Sequence, residues 1–326
     1  MSNENLSNNL NLDLITAENL SFGPKGLERF LVHGEGTNPG KYREYLLSLF
    51  PEFQSEQFEV ENKENLEYFV SQIEKLYLNS VTVSILAERS PDKIADIPLD
   101  RRKGESMYLR DTESILNALK NRANESSPDA KKVVVACGSM IRLAQAFMIE
   151  QGIPAITTVG FAGYFPISEK LSSAGVQFIG HWTLKFYDPS QGWRILDIDG
   201  KRALNGYNKR NGTNIDFTNL QESELFVPAS RALRSVMTGE QQAEKFYVGY
   251  PTPVYGMEGI VRQFGSEFGH AVGIQPPYGV ELKSPNFYVL NQVAELLEQP
   301  PEESLSEIIE IYSKNRESFV YADTIA

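Results

Sequence analysis

The stretch VVVACGSMIRLAQAFMIEQGIPA, residues 133–155, decides how this chain is read. Val133-Val134-Val135-Ala136 is an unbroken apolar run, and the period then changes: Ile141, Ala144, Phe147 and Met148 recur at helical spacing. Gly152, with Pro154 just beyond it, is a stop signal for that helix. Cys137 therefore falls at the helix start. A sulfur placed there faces unpaired N–H groups and the positive end of the helix dipole, which favour thiolate over thiol. The same N–H groups can hold the oxyanion of a tetrahedral intermediate. On its own, however, one cysteine after four apolar residues reads as an inert buried side chain.

The next segment changes that reading. Ile153 to Gly160 has the character of a strand, and Phe161 to Val176 that of a loop. Phe178 to Tyr187 and Trp193 to Asp199 read as two strands joined by Asp188-Pro189-Ser190-Gln191-Gly192, a turn by composition. With the turn centred on Pro189, Phe186 faces Gly192 and His181 falls opposite Asp197. Opposed residues have Cβ atoms about 4.5–5.5 Å apart, within reach of a His–Asp hydrogen bond. Alternation sends Trp182, Leu184 and Phe186 to the core and His181, Thr183 and Lys185 to the other side. Asp199 shares the strand face of Asp197, so a shifted register would substitute it.

Upstream, residues 1–20 are Asn-rich and read as a flexible segment. Helical spacing recurs from Lys41 to Phe50 and from Asn62 to Tyr77, where Leu66, Phe69, Val70, Ile73 and Leu76 form one stripe. Val81 to Leu86 reads as a strand or short buried segment, Ser90 to Gly104 as a loop, and Asp111 as the cap of a further helix. Asn124 to Lys132 is a polar loop. Beyond Asn205 the pattern weakens, with helices expected near Ser230 to Met237, Tyr288 to Leu297 and Glu303 to Asn315.

Three blocks together resemble the transglutaminase-like superfamily. They are Cys137-Gly138-Ser139 with Leu143-Ala144-Gln145-Ala146-Phe147 and Gly152-Ile153-Pro154-Ala155; His181-Trp182; and Gly192-Trp193-Arg194-Ile195-Leu196-Asp197. The resemblance covers about Asp111 to Gly200. It implies an α+β fold with a papain-like core, in which a nucleophile helix packs on an antiparallel sheet. It also implies Cys137 as nucleophile, His181 as general base and acid, and Asp197 as the residue orienting the imidazole. Residues 21–326 would form a single catalytic domain with its core at about 105–205. Trp182 follows the His immediately and Lys185 stands where the family often has an acid. A diverged biosynthetic or modifying enzyme is therefore expected, not a calcium-dependent crosslinker. No side chain before Cys137 suggests itself for the oxyanion hole.

Composition narrows the partners. A net charge of −12 over 326 residues disfavours nucleic acid, and the longest basic cluster, Arg101-Arg102-Lys103, reads as a solvated loop. The polar, acidic Met1-Ser2-Asn3-Glu4-Asn5 carries no leader signal, and no apolar run is long enough to span a membrane, so a cytoplasmic protein is expected. One Cys and three scattered His suggest no metal cluster and no cofactor. The glycine-dense His33 to Gly40 reads as a plain turn, because no Lys-Ser/Thr pair follows it. His270 stands outside the constellation. The expected reaction is acyl transfer from a small or carrier-bound acyl substrate to an amine acceptor through a thioester acyl-enzyme. The alternatives are an amidase or cysteine protease, and a non-catalytic binding module.

Overall fold

The apolar run Val133–Val135 is a strand, and Cys137–Glu150 is a helix. Ala136, extended at φ −81° and ψ 165°, turns one into the other. Every residue of that helix from Cys137 to Ile149 is buried except Gln145. A helix apolar nearly all round belongs inside a molecule and not on its surface. Gly152 sits at φ +75°, a conformation that favours glycine, just after the last turn.

The computed structural model describes residues 26–34, 36–55, 58–220, 225–249, 253–273, 282–283 and 285–320. The segment 1–20, expected to be flexible, lies outside the described residues. The N-terminal part runs Arg43–Ser48 (α1), Lys63–Glu74 (α2), Tyr77–Asn79 (β1), Ser80–Arg89 (α3), Leu99–Tyr108 (α4) and Thr112–Asn121 (α5). The centre runs Val133–Val135 (β2), Cys137–Glu150 (α6), Ala155–Ala162 (β3), Phe178–Asp188 (β4), Gly192–Leu196 (β5) and Lys201–Asn211 (α7). Then follow Phe226–Pro228 (β6), Ala229–Met237 (α8), Phe246–Val248 (β7), Val254–Tyr255 (β8), Gly256–Ala271 (α9), Phe287–Leu297 (α10) and Pro301–Lys314 (α11). No helix among the described residues is long and apolar enough to cross a membrane.

The class is α+β, but the sheet is mixed where an antiparallel one was expected. Strands β3 and β4 form its antiparallel centre, from Ala155 opposite Phe186 to Ala162 opposite Ile179. β6 flanks β3, and β5 runs antiparallel along the turn end of β4. The exception is β7, which runs parallel to the other end of β4, with Phe178 opposite Phe246. It arrives after α8 has crossed over, in a region whose sequence pattern was weak. β1 and β2 form a separate parallel pair.

Two hydrophobic cores share this sheet. On one face α6 packs against β3 and β4, and Phe50, Phe69, Phe147, Trp182, Leu184 and Phe186 fill the space. On the other, α8 and α9 pack against β3, with α10 and α11 behind them. There Phe161, Phe246, Phe264, Phe268 and Leu290 are buried together. Trp182, Leu184 and Phe186 thus occupy the core as alternation requires. His181 and Thr183, read as facing away from it, are buried too, at 2% and 0% exposure.

Several local readings are corrected. Val81 to Leu86 lies inside helix α3. The β-branched run favours a strand, but the Asn79 side chain accepts hydrogen bonds from Val81 N and Thr82 N and starts a helix instead. Ser90 to Gly104 is not a loop; it holds a 3-10 turn, Pro91–Ile94, and the start of α4. The basic cluster there is structural. Arg101 donates to the Ala130 carbonyl at 2.9 Å and pairs with Glu105, while Arg102 donates to the Ile97 carbonyl at 2.6 Å. The polar loop 124–132 contains one helical turn, Pro128–Lys131, and the loop 161–176 another, Glu169–Ser173. Helices α7 and α9 had no counterpart in the reading of the sequence.

The hairpin register also differs. Asp188 lies opposite Gly192, and Phe186 opposite Arg194. Asp188 Oδ1 accepts from Ser190 N at 2.8 Å, from Ser190 Oγ at 2.6 Å and from Gln191 N at 3.2 Å. That local turn tightens the connection and moves its centre one residue on from Pro189. β5 ends at Leu196, so Asp197 is not a strand residue.

Helix α6 is anchored at its far end as well. Glu150 takes Nε2 of His33 at 2.9 Å and Nε of Arg43 at 2.5 Å. Midway, Phe147 meets Phe50 at a ring-centroid distance of 4.2 Å and Phe69 at 5.0 Å. Phe147→Ala should therefore cost about 3–5 kcal/mol of stability, because the cavity cannot collapse between fixed rings. Urea unfolding measures it; a loss under about 1 kcal/mol would mean that this cluster does not anchor the helix.

Candidate active site

Cys137 is the first residue of α6, and the capping position before it is Ala136, which has no side-chain acceptor. The Ser139 N–H turns back to the Ala136 carbonyl at 3.1 Å, and the sulfur stands at the positive end of the helix dipole. The helix start is pinned from several sides. Ser139 Oγ donates to the Leu109 carbonyl at 2.9 Å, and Arg142 Nη1 to the Arg110 carbonyl at 2.5 Å. The Arg142 guanidinium lies over the Trp182 ring, 5.2 Å from its centroid. Trp182 presses so close on Gly138 that a Cβ there would sit 2.6 Å from a ring carbon. Glycine after the cysteine is a packing requirement.

His181 and Asp197 come together although they are not cross-strand partners. Nε2 of His181 lies 2.9 Å from Oδ1 of Asp197, with the two side chains 2% and 0% exposed. Past the end of β5 the chain curls back on itself. The Gly200 N–H donates to Asp197 Oδ1 at 2.7 Å, and the Asp197 N–H donates to the Phe217 carbonyl at 2.9 Å. A Cβ at Gly200 would lie 2.0 Å from Oδ2 of Asp197, so this curl needs glycine. The Tyr164 hydroxyl donates to that same Oδ2. On the imidazole side, His181 shares a hydrogen bond with the Cys137 thiol. Nε2 is the ring nitrogen engaged by Asp197. The Phe165 ring stands edge-on to the imidazole at 4.9 Å. All three residues singled out in the sequence thus meet in one buried chain of hydrogen bonds.

Sequence reasoning missed the surroundings. Asp199, considered only as a register alternative, is part of the site in its own right. Its carboxylate, a ring nitrogen of His181 and Cys137 Sγ all lie within 4.8 Å of one another. Tyr77 Oη donates to one Asp199 oxygen at 2.8 Å, and Asn79 Nδ2 to the other at 2.7 Å. Both donors lie on β1, and Asn79 pairs in register with Val135, two residues before Cys137. A three-residue strand leaves no periodicity to find, and Tyr164 falls in what read as a loop. The fold gathers Cys137, His181 and Asp199 from distant positions. His270 is elsewhere, behind Trp182 with its ring 4.9 Å away, and shares a cleft with Arg142 and Gln145. Burial and the Arg142 charge hold its pKa well below the usual range, which keeps it neutral.

Electrostatics separates the roles. Burial alone would depress the His181 pKa, but the Asp197 charge and hydrogen bond outweigh it, and the Cys137 contact adds to them. The imidazolium is favoured well above 6.5. Burial would raise Asp197, yet the His181 charge and the bonds from His181, Tyr164 and Gly200 hold it below 3.8. Tyr164 is pushed far up by burial and by Asp197, and stays a neutral donor. For Asp199, burial wins and raises the carboxyl, against the opposing pull of His181, Tyr77 and Asn79.

The signs set a pH window. The raised His181 contributes stability that is complete below its unfolded value of about 6.5 and lost as pH rises through the folded one. The depressed Asp197 contributes above about 3.8 and loses that contribution as pH falls through its folded value. The pair is therefore fully stabilising between roughly pH 4 and 6.5. In Asp197→Asn the imidazole loses the largest of the interactions that oppose burial, and its pKa should fall. Imidazole NMR can follow this directly, since the chain has three histidines. A His181 that titrates at the same pH in both proteins would contradict this balance of forces.

No family model, no curated protein and no solved structure matches this chain.

Proposed function

We propose that this protein is a cysteine-dependent acyltransferase of the transglutaminase-like kind, built on a papain-like core. The observation that carries the reading is the unbroken link from the Cys137 thiol through the His181 ring to the buried Asp197 carboxylate, set at a helix N-terminus. Each part has a chemical task. Asp197 fixes the ring orientation and supports the imidazolium, so that the proton rests on His181 and the charge on sulfur.

The thiolate attacks the carbonyl carbon of an amide or thioester, and the new oxyanion lies against the N–H of Cys137 at the helix start. Collapse breaks the bond to the leaving amine or thiol, which departs with the proton from His181, and a thioester to Cys137 remains. An acceptor amine then attacks that thioester while neutral His181 takes its proton. The second collapse releases the amide and restores the thiolate–imidazolium pair. Water in place of the amine would give the amidase or protease reaction. Cys137 is only 8% exposed, which suits a slender acyl group, free or carried on a flexible arm, better than a side chain on a folded protein surface.

The test is iodoacetamide labelling of Cys137 from pH 5 to 9, in the native protein and in His181→Ala. With the ring that accepts the thiol proton removed, the variant should label at least about 10-fold more slowly at pH 6.5. Incubation with a small thioester, with and without an amine, should leave an acylated Cys137 in the mass spectrum that the amine discharges. Discharge by water alone would favour the hydrolase. Identical labelling in both proteins, rising only near the free-thiol pKa, would leave a binding module without this chemistry.

A further inference from the structure

The cluster at the nucleophile has a donor beyond what acyl transfer uses. Cys137 Sγ, a ring nitrogen of His181 and a carboxylate oxygen of Asp199 all lie within 4.8 Å of one another. Donors around tetrahedral zinc sit about 2.0–2.3 Å from the metal, and hence roughly 3.3–3.6 Å apart. Closing the gap takes at most about 1.5 Å.

The outer contacts match what such a site requires. Ligating histidines almost always give their other ring N–H to a carboxylate or carbonyl. Here Nε2 is already committed to Asp197 at 2.9 Å, and the other ring nitrogen is left to coordinate. Asp199 is likewise oriented, by Tyr77 on one oxygen and Asn79 on the other. Each oxygen keeps a second lone pair. Charge agrees as well, because thiolate and carboxylate together would neutralise a divalent cation. Of the two carboxylates Asp199 is the less enclosed, being partly exposed while Asp197 is sealed. Sulfur, imidazole and one carboxylate suit zinc far better than calcium or magnesium.

We infer that Cys137, His181 and Asp199 form a three-ligand site for a thiophilic divalent cation, zinc above all, and that its occupancy switches the nucleophile off. Binding forms the metal–sulfur, metal–nitrogen and metal–oxygen bonds and releases to solvent the proton shared by Cys137 and His181. The sulfur lone pair and the proton-accepting nitrogen are then both engaged, and a fourth position stays open to water. Binding itself follows from the cluster; the loss of activity rests on the reading of Cys137 as nucleophile.

Cobalt(II) is the probe, because a surface acid cluster gives no sulfur signal in a chain with 43 Asp and Glu and one Cys. Titrated into the chelator-stripped full chain, it should produce a thiolate-to-cobalt charge-transfer band at one equivalent, and zinc should displace it. Cys137→Ser, which is nearly isosteric, should abolish the band. Asp199→Asn should weaken cobalt binding by more than about 100-fold, and Tyr77→Phe by about 10-fold. One equivalent of zinc should block iodoacetamide labelling, and a chelator should restore it. No sulfur band, or equal affinity in Asp199→Asn, would overturn the site even if metal-free labelling showed an activated thiol. A band without an activated thiol would keep the site and remove the nucleophile.

Discussion

A charged imidazole and a carboxylate, both out of water, are the constraint around which the centre of this protein is organised. Taking either ion from water costs several kcal/mol, and their attraction offsets this only when the remaining hydrogen-bonding capacity is met. The surroundings of His181 and Asp197 meet it on every side. Asp197 takes His181 and the Gly200 N–H on one oxygen and Tyr164 on the other. The glycine at 200 exists for that approach. Gly160, the cross-strand partner of His181, exists for another: a Cβ there would lie 2.4 Å from the Val227 carbonyl of the neighbouring strand. Ion pairs this deep do little for net stability, so the packing around this one has to come from elsewhere. The two cores, one on each face of β3 and β4, provide it.

Much of the site is legible in the sequence because its parts obey short-range rules. A change of period at Cys137 marks a helix start, and Asp188 to Gly192 marks a turn. Tertiary context decided the rest. The register slipped by one turn position because the Asp188 side chain organises its own turn, so the His–Asp contact forms through the curl after β5 and not across the ladder. A pattern argument had the right pair for an incomplete reason. The same limit applies at Val81 to Leu86, where a cap two residues earlier overrides β-propensity. Asp199, Tyr77 and Asn79 carry no local signature at all. They become neighbours of Cys137 because β1 lies beside β2.

The region beyond Asn205 had the weakest periodicity, for a physical reason. Helix α9 is buried from Gly259 to Gly269, polar residues included. Arg262, Gln263, Ser266 and Glu267 lie among its apolar side chains, which blurs the stripe. Glu267, for example, accepts from the Ser230 N–H at 2.6 Å, at the start of α8. A helix that satisfies its polar groups against other elements cannot be recognised by a polar face.

Glu150 gives helix α6 a history as well as an anchor. A carboxylate in the last turn faces the negative end of the helix dipole and is unfavourable there by itself. Arg43 reverses that sign, and the His33 ring adds a hydrogen bond. Arg43 also reaches Glu44 at 3.2 Å, but Glu150 is a burden without its two partners. A lineage that lost both would be under pressure to discard the acid. The three positions, remote along the chain, are thus expected to be inherited and replaced together.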